Sequence, residues 1–235
     1  MEPYAFDAEF IEVDFNARPN AENPSIVSHR LRKPTLEELN ERESLIKNEL
    51  VEINSREDEF QADDEVANSR LWDKICVAVK GYKDAAEWRD VTDADRAAMR
   101  SGHKRTAILA LYAGWCEIEG DEDGVSIGAD TWTVVQNIGT KRDAPNFVVR
   151  HILREPTEAE RIKFKRSASS TSYVKGAKKN QVRVRTNLRA YVELYDALID
   201  HVEGATTTPI AVIDPIWKRQ VIQCLVANLE AQISD

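Results

Sequence analysis

This chain is poor in the features that concentrate chemistry. Its 235 residues hold three cysteines, Cys76, Cys116 and Cys224, far apart and with no pairing logic. Free thiols, buried in a reducing compartment, are the expected reading. Apolar runs are short, and none approaches the ~18 residues that a membrane span needs. The opening Met1-Glu2-Pro3-Tyr4 lacks the charged-then-apolar pattern of a secretion signal. A chain made and kept in a cytoplasm is expected. No glycine pair leads into Lys-Ser or Lys-Thr to cradle a phosphate, and there is no Gly-x-Ser-x-Gly nucleophile elbow. Of the four histidines, His29, His103, His151 and His201, the equivalent pair His29 and His151 has no second ligand at metal spacing. The near neighbours of His29 and His151 are Arg32 and Arg154, not the acids or cysteines that would complete a zinc set. Asp121, Glu122 and Asp123 crowd one loop, without the alternating oxygen ligands and closing Glu of a calcium site. No catalytic, cofactor-binding or metal-binding residue is assigned, no cofactor is expected, and the chain reads as a non-enzyme.

What is there is said twice. The stretch Ile26-Val27-Ser28-His29-Arg30-Leu31-Arg32-Lys33-Pro34-Thr35-Leu36-Glu37-Glu38 returns as Val148-Val149-Arg150-His151-Ile152-Leu153-Arg154-Glu155-Pro156-Thr157-Glu158-Ala159-Glu160. His29, Arg32, Pro34, Thr35 and Glu38 recur in register as His151, Arg154, Pro156, Thr157 and Glu160. Leu71-Trp72-Asp73 returns as Leu194-Tyr195-Asp196, and His103-Lys104-Arg105 as Trp217-Lys218-Arg219. Order is kept throughout, which suggests a tandem duplication; repeat arrays use three or more shorter units.

The local signals define one module. Residues 8–15, with Phe10, Ile11, Val13 and Phe15, and Ile26 to Arg32 read as strands of a hairpin, and Thr131–Ile138 and Phe147–Arg154 do the same later. Thr35 and Thr157 suit helix N-caps, with Glu38 and Glu160 placed to return a bond to the cap amide. The spacing of Leu39, Ile46, Leu50 and Ile53 predicts a first helix over 36–53, and Leu71, Ile75 and Val79 a second over 66–79. Gly81 and Gly204 read as helix stops. The fold class expected is α+β, mainly α: a tandem duplication of a β-hairpin followed by about three helices. The domains expected are an acidic N-terminal module over 1–119, an acidic connection and first strand over 120–145, and a C-terminal module over 146–235. Isolated hairpins are marginal, so the strands are expected to pair across modules or with another chain.

Charge separates the copies. From Arg161 to Arg189 there is no acid and there are ten bases, whereas Glu37 to Glu65 holds twelve acids and three bases. The candidate partner-binding residues are Arg161, Lys163, Lys165, Arg166, Lys175, Lys178, Lys179, Arg183 and Arg185. Three readings are open: a head-to-tail contact of acidic on basic elements, a grip on nucleic acid, or solvated faces that diverged. Only Phe164 and Tyr173 could stack on bases within the stretch, and the net charge of −9 argues against wholesale nucleic-acid coating. The serines of 167–172 and Gly176 suggest a flexible loop over 167–181. Lys104-Arg105 and Lys218-Arg219, cations opposing the dipole at a helix start, point to an acidic partner or to an ion pair inside the module.

A strand ending in Leu31-Arg32-Lys33-Pro34-Thr35, or Leu153-Arg154-Glu155-Pro156-Thr157, followed by an acid and a helical bundle, resembles tail-assembly chaperones of tailed bacteriophages. The resemblance covers about a dozen residues per copy. It implies a structural or assembly protein of tail morphogenesis, in the host cytoplasm during assembly or in the virion. Its partners would be tape-measure or tail-tube proteins, or further copies of itself, with no membrane. The alternatives are a head–tail or tail component kept in the particle and a nucleic-acid-binding accessory protein using 161–189. The resemblance carries over no site residue.

Overall fold

In each copy, a strand that ends in Arg-x-Pro-Thr runs straight into a helix. The computed structural model describes residues 3–18, 22–23, 25–54, 57–119, 131–139, 147–173, 181–206 and 210–233. In the first copy, β1 (Phe10–Asn16) and β2 (Ile26–Arg32) form a hairpin, followed by α1 (Leu36–Leu45), a second hairpin of β3 (Lys47–Asn54) and β4 (Glu57–Asp63), then α2 (Glu65–Ile75) and β5 (Cys76–Lys80). Short β6 (Arg89–Asp90), α3 (Asp93–Ala98) and α4 (Ser101–Leu111) complete it, and β7 (Gly114–Ile118) follows. The second copy repeats the order: β8 (Thr131–Ile138), β9 (Phe147–Arg154), α5 (Glu158–Ser167), β10 (Ser169–Tyr173), β11 (Gln181–Thr186), α6 (Leu188–Leu198), β12 (Ile199–Glu203) and α7 (Pro215–Ile233).

This overturns the mainly α expectation and its hairpin-plus-three-helices module. Seven α-helices and twelve strands are present among the described residues, the strands in three antiparallel four-stranded sheets, so the fold is mixed α and β. Three readings changed for physical reasons. The first helix stops at Leu45, where Ile46 turns extended, and 47–54 is a strand. The second stops at Ile75, and Cys76 passes directly into β5, which pairs with β2, so Val79 belongs to a sheet. Part of the serine-rich loop over 167–181 is the strand β10.

Gly81 and Gly204 end strands β5 and β12 rather than helices. Both have positive φ, +83° and +78°, and an added Cβ would meet the carbonyl oxygen of Ile26 or of Val148. Only glycine tolerates both conditions.

The chain divides into two compact units that do not follow the three expected segments. One unit gathers 1–8, 112–168 and 188–235, and the other 9–111 and 169–187. In the second of these, the sheet β1-β2-β5-β6 buries Val13, Val27, Leu31 and Val79 against Leu71, Trp72, Ile75 and Ile108 of its helices. In the other, the sheet β12-β9-β8-β7 buries Val134, Val149 and Leu153 with Leu194, Tyr195, Trp217 and Ile222. The pairing expected across modules occurs, but at hairpins not foreseen: β10 and β11 extend β3 and β4 into one sheet, order β10-β11-β3-β4.

Arg-x-Pro-Thr-x-x-Glu is a structural clasp. The Arg32 guanidinium forks onto Glu38 at 2.9 and 2.5 Å and donates to the Lys74 carbonyl at 3.1 Å, near the C-terminus of α2. Arg154 forks onto Glu160 at 2.9 and 2.6 Å and donates to the Ala197 carbonyl at 3.0 Å in α6. The same glutamates close capping boxes with Thr35 and Thr157. One side chain thus ties a strand end, a helix start and a helix end together. The hydrogen bond from Arg32 is the main cause that holds the Glu38 carboxyl below its ordinary range, and Arg154 in the same way takes Glu160 down to about 2. Arg32→Lys keeps the charge and loses the planar fork. We expect it to cost about 1 kcal/mol, since the pair is partly exposed and solvent-screened, read as a lower urea midpoint at unchanged slope.

Candidate functional site

The repeated histidines sit at the heart of each copy, on β2 and β9, both fully buried. The Trp72 indole N–H donates to His29 Nδ1 at 2.8 Å. Nδ1 is therefore an acceptor, so Nε2 carries the proton and donates to the Tyr82 hydroxyl, 2.8 Å away. In the other copy, Tyr195 replaces Trp72 and its hydroxyl lies 2.8 Å from His151 Nδ1, while His151 Nε2 faces Gln136 Oε1 at 3.1 Å. Because Oε1 only accepts, Nε2 again bears the proton. Burial lowers both imidazoles to a pKa of about 3, with His103 a lesser cause for His29. They are neutral, saturated with partners and shut from solvent.

The buried lysines repeat in the same manner. Lys104 Nζ donates to Asp73 Oδ1 at 2.6 Å and to the Arg96 carbonyl at 2.6 Å, and lies 5.2 Å from the centre of the Trp72 ring. Lys218 Nζ donates to Asp196 Oδ1 at 2.6 Å and lies 5.4 Å from the Tyr195 ring. Of the two expected uses for these cations, the ion pair inside the module is the one observed. Lys218→Met should therefore lower stability by no more than about 2 kcal/mol, because Asp196 can be solvated once released. It should leave the solution mass unchanged, which light scattering reads directly.

The sequence reading missed a third clasp. Arg89 forks onto Asp95 at 2.7 and 2.8 Å, and Thr92 and Asp95 form a capping box at the start of α3. Arg89-x-x-Thr92-x-x-Asp95 was legible once proline and glutamate were relaxed to valine and aspartate. It also shows that the motif is a way of starting a helix after a strand. Missed too was Arg96, which donates to the carbonyls of Asp73, Cys76 and Val91 where α2 passes into β5.

The basic candidates divide. Arg161 on α5 donates to Glu155 and to the Pro156 carbonyl. Lys163 pairs with Glu193 at 3.3 Å. Lys165 and Arg166 are exposed on the same helix. Lys175, Lys178 and Lys179 lie outside the described residues, as do Asp121, Glu122 and Asp123. Arg183 and Arg185 stand on β11, which pairs antiparallel with the acidic β3. The register sets Gln181 against Val51, Val182 against Leu50, Arg183 against Glu49 and Val184 against Asn48. Hairpin 47–63 carries six acids and two bases; hairpin 169–186 carries five bases and no acid. The helix-borne bases and the strand-borne bases fall in different compact units.

A cleft between α5 and α6, lined by Glu160, Lys163, Phe164, Ser167, Glu193 and Leu194, holds about 110 Å³. Small-molecule sites commonly hold about 300–1,000 Å³. No cluster of three or more His, Cys, Asp or Glu suited to a metal is found among the described residues. No helix among them is long and apolar enough to cross a membrane. None of the three cysteines is joined in a disulfide: Cys76 is buried, while Cys116 and Cys224 are partly buried. No protein-family model, no curated protein and no solved structure matches this chain.

Proposed function

We propose that this chain is a non-enzymatic assembly protein that works through protein–protein interfaces, head to tail with further copies of itself. The observation that carries the reading is the strand seam β11–β3, where equivalent hairpins of the two copies, opposite in charge, pair in one sheet. Support also comes from the repeated polar residues. His29, His151, Lys104 and Lys218 are each committed to interior partners, which leaves the surface as the place of action. Tail morphogenesis in a phage-infected cell is the setting we propose, resting on the likeness of the Leu-Arg-x-Pro-Thr segments alone. Tape-measure or tail-tube proteins would then be further partners.

The nucleic-acid reading is the weaker one, since the basic strand β11 lies between β10 and the acidic hairpin in the same sheet. Light scattering after size exclusion, at about 50 mM and about 500 mM salt, tests the proposal. Screening shortens from about 14 to about 4 Å over that range. Oligomers at low salt that shrink at high salt are expected. A monomer at both, with no tail protein retained in a pull-down, would reject it.

A further inference from the structure

The hairpin β10–β11 has an unusual place in the chain. Residues 169–187 belong to one compact unit, while the segments on both sides, 112–168 and 188–235, belong to the other. It joins β3 through four residue pairs, Gln181–Val51 to Val184–Asn48. Nothing in that ladder depends on both hairpins being on the same chain. Backbone hydrogen bonds form between any two strands in register, and the opposite charge of the two stretches in sequence, five bases in 169–186 against a net excess of four acids in 47–63, is the same between chains.

We propose that the β11–β3 seam is exchangeable: the basic hairpin β10–β11 of one copy completes the sheet of the acidic hairpin β3–β4 in a second copy. This deepens the assembly reading and rests on it, and the occupant is another molecule of this chain. The contact is heterologous, because the donated hairpin and the accepting hairpin are different surfaces. It leaves one free donor and one free acceptor at the ends of any open chain of copies. Such contacts close into rings or extend into filaments. The intramolecular seam is the same pairing satisfied within a single chain, so the balance between the two forms follows protein concentration. The remaining strands of the sheet, β10 and β4, have no further strand neighbour among the described residues.

The test places one thiol on each side of the seam, on different molecules. Asn48→Cys with a small tag and Val184→Cys with a large tag are co-expressed, purified at low salt and treated with a short bis-maleimide. Gln181→Cys with Val51→Cys gives an independent reading at the other end of the ladder, should the first pair fold poorly. The parent chain, with Cys76, Cys116 and Cys224, is treated identically. The expected result is a band of mixed tags, absent from the parent and lost at high salt. The double variant Asn48→Cys/Val184→Cys should give a ladder of multiples as well as the closed monomer. No mixed band from either pair, with the double variant linked only within single chains or not at all, overturns the proposal. In that case the solution mass separates the two ideas: a persistent oligomer spares the assembly reading and removes only the exchanged seam, while a monomer that also retains no tail protein removes both.

Discussion

Lowering the pH from 7 to 5 should remove about 4 kcal/mol of folding stability, about 2 from each buried histidine. His29 and His151 are neutral in the fold, at a pKa of about 3, and ordinary in the unfolded chain, near 6.5. The unfolded state therefore takes up a proton at each site that the folded state refuses. Stability falls as pH drops below about 6.5, at about 1.4 kcal/mol per unit and per histidine, and the loss levels off only near pH 3. Hydrogen bonding adds a difference between the copies. A proton on His29 Nδ1 would point at the Trp72 N–H, two donors face to face, whereas the Tyr195 hydroxyl can turn to accept from His151. The His29 copy should fail first.

Other groups act elsewhere on the pH axis. Glu38 and Glu160, held low chiefly by their arginines, lose their contribution only below about 4.5 as they protonate. His201 is exposed beside Asp200, which raises its pKa, so its small contribution has the opposite sign and fades as pH rises. Urea midpoints at pH 7, 6 and 5 measure the effect. A midpoint that does not move between pH 7 and 5 would mean that the histidines are not buried neutral.

Trp72→Ala should cost about 5 kcal/mol, the largest effect of any single change considered. Trp72 is fully buried among Leu71, Ile75, Ile108 and the rings around His29. Truncating a core aromatic costs about 3–5 kcal/mol through lost burial and the cavity left behind. The change also strands the His29 Nδ1 acceptor, worth about 1–3 kcal/mol when buried without a donor, and uncovers Lys104. Trp72→Phe separates the terms. It keeps much of the ring and loses the N–H, so about 3 kcal/mol is expected. Tyr195→Phe changes almost no volume and strands only His151 Nδ1, so about 1–2 kcal/mol is expected. Losses should fall in the order Trp72→Ala, Trp72→Phe, Tyr195→Phe. Equal losses for Trp72→Phe and Trp72→Ala would show that the hydrogen bond, not the packing, dominates.

Strands β1, β2, β8 and β9 were legible because alternation and the Pro-Thr helix starts are local signals. Helix starts at Leu36 and Glu158 were legible for the same reason. Strands β3 and β4 were not, because Leu39, Ile46, Leu50 and Ile53 fit a helical stripe about as well as Val51 and Ile53 fit a strand. What decides is the pairing of β3 with β11, a partner more than 120 residues away in sequence. Strand β10 was hidden in the same way, since Ser169-Ser170-Thr171-Ser172 carries no apolar signal of its own. Strands β5 and β12 follow helices with no loop between, so no turn residue marks the change.

As for the site, the opposite charge of the two equivalent stretches was visible in the sequence. That they would meet in one sheet was not. The repeated histidines were visible as well, but their aromatic partners, Trp72 and Tyr195, come from helices 43 and 44 residues downstream.

On the proposed reading, complementary charge on the two hairpins draws copies together. The most direct measurement is sedimentation of the parent chain beside a variant with Lys175, Lys178, Lys179, Arg183 and Arg185 changed to glutamine, at low salt. The parent is expected to sediment as an oligomer, and its neutralised form as a monomer of about the 26.6 kDa of one chain. Identical sedimentation of the two, with both folded, would contradict it.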